Sequence, residues 1–118
     1  MNSGINAYKT NNVVGASQKK LIIMLYEAII RNLKLAKMDI DAKNIESANN
    51  HIGKAQDILV ELMTTLDMVN GGDIAKGLLS LYQYMYERTI KGNVYRDKDA
   101  LTEVISMIQE LKETWEKI

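Results

Sequence analysis

The sequence predicts an all-α fold, an antiparallel up-down four-helix bundle preceded by an irregular N-terminal arm. Three observations carry that prediction. The 118 residues include no proline, so nothing forbids long helices. Apolar residues recur in steps of three and four through four separate segments, which is the period of one helical face. Between those segments stand Asn44, Asn70-Gly71-Gly72 and Gly92-Asn93, residue types suited to turns and caps.

Residues 1–15 show no helical period and are expected to form a flexible arm or cap, with Ile5, Tyr8, Val13 and Val14 as isolated apolar groups. Residues 16–118 then make one domain. Ser17 is placed to accept from the free amides of a first helix over about 17–41. The inward stripe of that helix is Ile22, Leu25, Ile29, Leu33, Ala36 and Ile40. Asn44 caps a second helix, 45–69, in which Ile45, Ala48, Ile52, Ala55, Leu59, Leu62 and Leu66 repeat without a miss. Asn70-Gly71-Gly72 stops it, because glycine takes the left-handed conformation of a helix end at little cost. Asp73 caps a third helix, 73–92, with Ile74, Leu78, Leu81 or Tyr82, Met85 and Thr89 inward and its end near Gly92-Asn93. Asp97 or Asp99 opens the fourth, 97–117, on the stripe Leu101, Val104, Ile108, Leu111, Trp115 and Ile118. Helices of about 20 residues are each near 30 Å long, and short connections pack them antiparallel.

Composition excludes several function classes. Lys plus Arg and Asp plus Glu both number 15, so the net charge is zero and the basic footprint of a nucleic-acid binder is missing. With no cysteine, neither thiol catalysis nor a thiolate metal site is available. The longest uncharged apolar run, Leu21 to Tyr26, stops at Glu27, far short of the roughly 20 residues a bilayer requires. Membrane insertion is not expected. The polar start Met1-Asn2-Ser3-Gly4 lacks the charged and apolar regions of a signal peptide, which makes the cytosol the expected location. Charge is unevenly spread. Residues 1–44 carry seven basic and three acidic side chains, whereas residues 97–118 carry three and six, as two solvated helix faces of opposite sign placed side by side would.

Catalytic constellations are weak. His51, the only imidazole, precedes Lys54 at the spacing of four-helix phosphotransfer domains, but Gln56-Asp57 follows where small residues would admit a partner. A phosphotransfer module using His51 stays as an alternative, as does a self-associating structural bundle. Asp39 with Asp41, and Glu110 with Glu113, lie on polar faces with lysine neighbours and no apolar pocket to raise a pKa. No Glu-x-x-His pair exists for a di-iron site, and no Lys-Ser/Thr phosphate loop follows Gly71-Gly72. Neither an enzyme nor a cofactor is expected.

Apolar surface is what the chain has in surplus. The segment from Leu21 to Ile30 is apolar almost all round, with Leu21, Met24 and Ile30 outside the core stripe. Ile58 and Val60 in the second helix, and Leu79, Tyr84, Tyr86 and Ile90 in the third, are off-stripe too. A wide core with scattered exposed apolar groups accounts for part of this. A groove for an amphipathic or extended partner accounts for the rest, since Met and Tyr suit adaptable binding surfaces. The candidate partner-binding residues are Ile5, Tyr8, Leu21, Met24, Ile30, Ile58, Leu79, Tyr84, Tyr86 and Ile90.

Several strings carry a family resemblance: Asn6-Ala7-Tyr8, Ala16-Ser17-Gln18-Lys19-Lys20-Leu21, Met24-Leu25-Tyr26-Glu27, Asp67 with Gly71-Gly72, Leu78-Leu79-Ser80-Leu81-Tyr82-Gln83-Tyr84-Met85, and Trp115. In order and spacing the chain resembles the FliS family of flagellar secretion chaperones over nearly its whole length. It departs at Gln18, where the family often has proline, at Ala28, where glycine is frequent, and at Met68, where an aromatic is frequent. The resemblance implies a cytosolic four-helix chaperone that binds the C-terminal segment of flagellin, prevents its premature polymerisation and brings it to the flagellar export gate.

Overall fold

The computed structural model of the chain describes residues 16–118, four α-helices with no strand among the described residues. Helix α1 spans Ala16–Asp41, α2 Ile45–Thr64, α3 Gly72–Tyr95 and α4 Lys98–Glu116. The helices pack in a ring, α1 on α2, α2 on α3, α3 on α4 and α4 back on α1, and among the described residues neither diagonal pair brings its backbones together. Lys98 at the start of α4 bonds Asp41 at the end of α1, and Lys19 near the start of α1 donates to the Glu116 carbonyl at the end of α4. These two helices are therefore antiparallel, and short turns reverse the chain at the other three joints. The expected arm, with Ile5 and Tyr8, lies outside the described residues.

Two of the expected N-caps form as hydrogen bonds. The Asn44 side chain accepts the Ser47 N–H, and Asp97, not Asp99, accepts that of Ala100. Ser17 lies inside α1, which begins one residue earlier, and Asp73 falls in the first turn of α3, where its charge suits the positive helix end. Two helix ends also differ from expectation. The second helix stops at Thr64, not 69, because Asp67 turns the chain first: its carboxylate accepts the N–H groups of Val69 and Asn70 at 3.1 and 3.0 Å. The third helix runs past Gly92 to Tyr95. Gly92 is buried because α4 crosses there, and a Cβ on it would lie 2.5 Å from Leu101 Cδ2. Arg96, at φ 54°, supplies the left-handed end instead.

The core takes Tyr26, Ile29, Leu33 and Ala36 from α1, and Ala48, Ile52, Ala55, Leu59 and Leu62 from α2. From α3 and α4 it takes Ala75, Tyr82, Met85, Thr89, Ala100, Leu101, Val104, Ile105 and Ile108. The α2 stripe is as expected from Ala48 to Leu62. On α1 the buried aromatic is Tyr26, while Ile22, Leu25 and Ile40 form the core edge. Ile45, Ile74, Leu81 and Ile118, expected inward, are exposed. Ile45 opens α2 and Ile118 lies beyond α4, where no neighbouring helix covers them, while Ala75 and Tyr82 occupy the inward places next to Ile74 and Leu81.

Tyr26 and Tyr82 meet across the core with ring centroids 6.5 Å apart, rings inclined at 60° and hydroxyls 2.6 Å apart. One hydroxyl donates to the other. Burial pushes both phenol pKa values above the ordinary 10.0. The folded state thus holds these protons more tightly than the unfolded chain, so the pair's contribution is full below that value and falls as pH rises past it. Tyr82→Phe strands the Tyr26 hydroxyl and is expected to cost about 1–3 kcal/mol. The double change Tyr26→Phe/Tyr82→Phe is expected to cost less than the two single changes added together. Urea unfolding of the four proteins checks both statements, and additive costs would show that the hydroxyls act independently.

Candidate functional site

Helix α3 offers its two flanks to different neighbours. Its row Tyr82, Met85 and Thr89 points into the core. On one side of that row Tyr84 and Arg88 bond Glu103 of α4 at 2.5 and 2.7 Å. By helical geometry the other side carries Leu79, Tyr86, Ile90 and Val94 and faces α2. The matching flank of α2 is marked by Gln56, whose amide donates to Thr89 Oγ1 at 3.2 Å, and it includes Gly53, Val60 and Met63. Together the two flanks leave a strip of partly exposed apolar side chains along the α2–α3 seam, the α2–α3 channel. Ile90 is 43% exposed and Val94 60%, while Leu79, Tyr86 and Met63 are half-buried. A Cβ added at Gly53 would meet nothing within 4 Å, so the channel is open beside it. Aliphatic, thioether and phenol groups fit a row of apolar peptide side chains, and none of them is a general base.

Beside the α2–α3 turn lies a pocket of about 240 Å³ whose walls include Ile22, Leu62, Leu66, Leu78, Tyr82 and Trp115, with Gln18 of α1 contributing a polar group. The turn beneath it is tightly specified. Gly71 N–H donates to the Asp67 carbonyl at 2.8 Å, and a Cβ at Gly71 would lie 2.5 Å from that same oxygen. Gly72 sits at φ 55°, where side chains are strained. The Asn70 backbone N–H holds the Asp67 carboxyl below its ordinary value of 3.8.

Of the candidate partner-binding residues, the structure brings Leu79, Tyr86 and Ile90 together on the channel. Ile58 shares with His51 the flank of α2 that faces α1, and Tyr84 is tied to Glu103 on the α4 side. Ile30 lines a trough between α1 and α4, Leu21 is half-buried, and Met24 stands exposed on α1. Sequence reasoning passed over Met63, and the pocket walls Leu66, Leu78 and Trp115 were assigned to the core alone. The spacing of 53, 56, 60 and 63 was the available signal, since those positions share one flank of a helix. Among the described residues no group of three His, Asp or Glu side chains is arranged to hold a metal, and no helix is long and apolar enough to cross a membrane.

Comparison with known proteins assigns the family. Residues 1–118 match the family described as flagellar protein FliS. The chain belongs to the FliS family. The flagellar secretion chaperone FliS of Vibrio cholerae is 35% identical, covering 100% of this chain and 90% of the relative. That of Campylobacter jejuni is 34% identical over 99% of this chain and 91% of its own length. A solved structure, a flagellar chaperone from bacteria, superposes with a TM-score of 0.82 at 17% identity, covering 98% of this chain and 94% of that one, which shows the shared fold.

In this FliS-family chain the lone imidazole is a tie between helices. His51 Nδ1 lies 2.7 Å from Asp39 Oδ2, and the Ser47 hydroxyl donates to the same oxygen at 2.8 Å, so α2 is fastened to the last turn of α1. The bond from His51 holds the Asp39 carboxyl below its ordinary 3.8, with Ser47 adding to it against the opposing effect of desolvation. Asp97 is held low by the Ala100 N–H and Glu103 by the Tyr84 hydroxyl. A carboxyl whose folded pKa is depressed stabilises fully above its unfolded value and loses that contribution as pH falls through the folded one. Thermal stability is therefore expected to be flat near neutrality and to drop below about pH 4. Asp39→Asn should lower the neutral-pH Tm and flatten the acid limb. Thermal melts from neutral to acid pH check this, and an acid limb of unchanged slope in the variant would remove Asp39 from the account.

Proposed function

We propose that this chain is a cytosolic flagellar export chaperone that holds the C-terminal segment of flagellin, keeps it from polymerising prematurely and delivers it to the flagellar export apparatus. The observation that carries this reading is the row of apolar side chains, Leu79, Tyr86, Ile90 and Val94, left half-buried or exposed beside α2 in a FliS-family chain. A segment with no core of its own gains one by laying apolar side chains along Leu79, Tyr86, Ile90 and Val94, without nucleotide or cofactor. Ordering a long tail subtracts from the gross interaction, which keeps the grip reversible.

Calorimetry with a flagellin C-terminal peptide is expected to show a 1:1 complex with a large negative heat-capacity change. Ile90→Asp, a change on an exposed position, should weaken it about tenfold or more by placing a charge in the channel. His51→Gln, on the far flank of α2, should leave affinity unchanged. Absence of heat and of any complex at high concentration would overturn the proposal. A mass that doubles with concentration in the absence of peptide would favour a self-associating bundle.

We further propose that the N-terminal arm covers the pocket at the α2–α3 turn and competes there with a client segment that continues into it from the channel. Gln18, on that pocket, is one helical turn from the arm's last residue, so Ile5 and Tyr8 are tethered within reach. Full burial of each would contribute about 1.5–3 kcal/mol. A cap of that strength lowers apparent affinity in proportion to the uncovered fraction. Deleting residues 1–15 should speed client association, measured by stopped flow. An unchanged association rate with faster release would instead make Tyr8 a client contact.

A further inference from the structure

The solvent face of α1 presents a surface of a different kind. Positions 20, 24, 27, 31, 35 and 38 follow one another by three or four residues on the side opposite Ile29, Leu33 and Ala36. They read Lys, Met, Glu, Arg, Leu, Met. Met24 is 53% exposed, Leu35 38% and Met38 65%, large apolar groups left in water along one row. The row borders a trough of about 620 Å³ between α1 and α4, where Ile30 and Leu35 are the apolar lining and Arg31, Lys34 and Lys112 are the cations. Lys112 is engaged by Glu27 at 3.6 Å and Glu116 at 3.4 Å. Arg31 and Lys34 have no carboxylate within salt-bridge distance among the described residues, although Arg88, Lys91 and Lys98 each have one.

We propose that this face docks an acidic amphipathic helix of a second partner protein, distinct from the client. Met24 to Met38 spans about 21 Å along the axis, four turns of a partner helix. Its apolar stripe would cover Met24, Leu35 and Met38, for which thioether side chains are adaptable counterparts. Carboxylates on the stripe's edge would meet Arg31 and Lys34, and the match of charge selects an acidic helix over a basic one. A flat anionic membrane fits less well, because the α4 bank beside the row carries Glu113 and Glu116 and would be pressed against it. A second copy fits less well too: the outward row of α4, Thr102, Ser106, Gln109 and Glu113, has nothing apolar to cover the methionines, and pairing the α1 row with itself about a two-fold axis sets Arg31 against Arg31. The outer face of α1 and the α2–α3 channel lie on different sides of the ring, so both can be occupied together. The inference does not depend on which client the channel takes.

The test uses the full chain and a labelled four-turn helical peptide with a leucine stripe flanked by glutamates, beside its lysine counterpart, followed by fluorescence anisotropy. The glutamate peptide is expected to bind, to weaken with added salt, and to shield Met24 and Met38 from peroxide oxidation. Arg31→Glu/Lys34→Glu, on exposed positions, should weaken it about tenfold or more and admit the lysine peptide, with Tm and flagellin-peptide affinity unchanged. Arg31→Gln/Lys34→Gln should fall between. The proposal is overturned if neither peptide binds, if both bind alike, or if the charge-reversed chain binds the glutamate peptide as the parent does. It is equally overturned if phosphatidylserine vesicles or a second copy, and not the peptide, shield Met24 and Met38.

Discussion

A ring of four helices leaves two diagonals that no backbone contact bridges, and the bundle is only as firm as the side chains that span them. Tyr26 and Tyr82 span the diagonal from α1 to α3, with their hydroxyls 2.6 Å apart. A displacement of α1 relative to α3 therefore breaks a buried hydrogen bond, a change with a threshold, where a purely aliphatic contact would slide. With that distance held, the flanks of α3 have fixed directions. Tyr84 and Arg88 turn to Glu103, and Leu79, Tyr86 and Ile90 turn to α2.

The elements most legible in the sequence are those decided by local rules. Asn44 and Asp97 cap their helices because a short polar side chain beside free amides has one good use. The α2 stripe from Ala48 to Leu62 repeats cleanly because one helix face meets one core. Legibility fails where two helices meet. Gly92 resembles a helix stop until α4 is placed against it, and then it is the residue that lets Leu101 approach. Tyr26 is polar at its tip, so periodicity alone prefers Leu25, and only the facing Tyr82 makes its burial favourable. The channel was half legible. The periodicity marks Leu79, Tyr86 and Ile90 as surplus, but their shared orientation depends on α3 having α2 on one side and α4 on the other.

The charge asymmetry along the chain has a plain structural outcome. Basic α1 and acidic α4 are neighbours, joined by Glu27 with Lys112 and Asp41 with Lys98, so part of each helix's charge is used along their seam. The seam is wet and screened, and it contributes modestly to stability. Its larger effect is to sort the surface. Ionic groups gather on the α1–α4 side, while the α2–α3 channel is lined by neutral side chains, so two ligands of different chemistry need not compete for one face.

The left-handed residue that ends α3 lies at Arg96, one turn beyond the glycine that the sequence offers as a stop. That extra turn keeps Val94 in helical register with Leu79, Tyr86 and Ile90. The apolar row is thereby about 23 Å long, from Leu79 to Val94. If a client helix lies along it as proposed, four turns match its full length, and a shorter helix leaves Val94 or Leu79 in water. On that proposal, the position of a turn that touches no client would set a preference for length without any residue-specific contact.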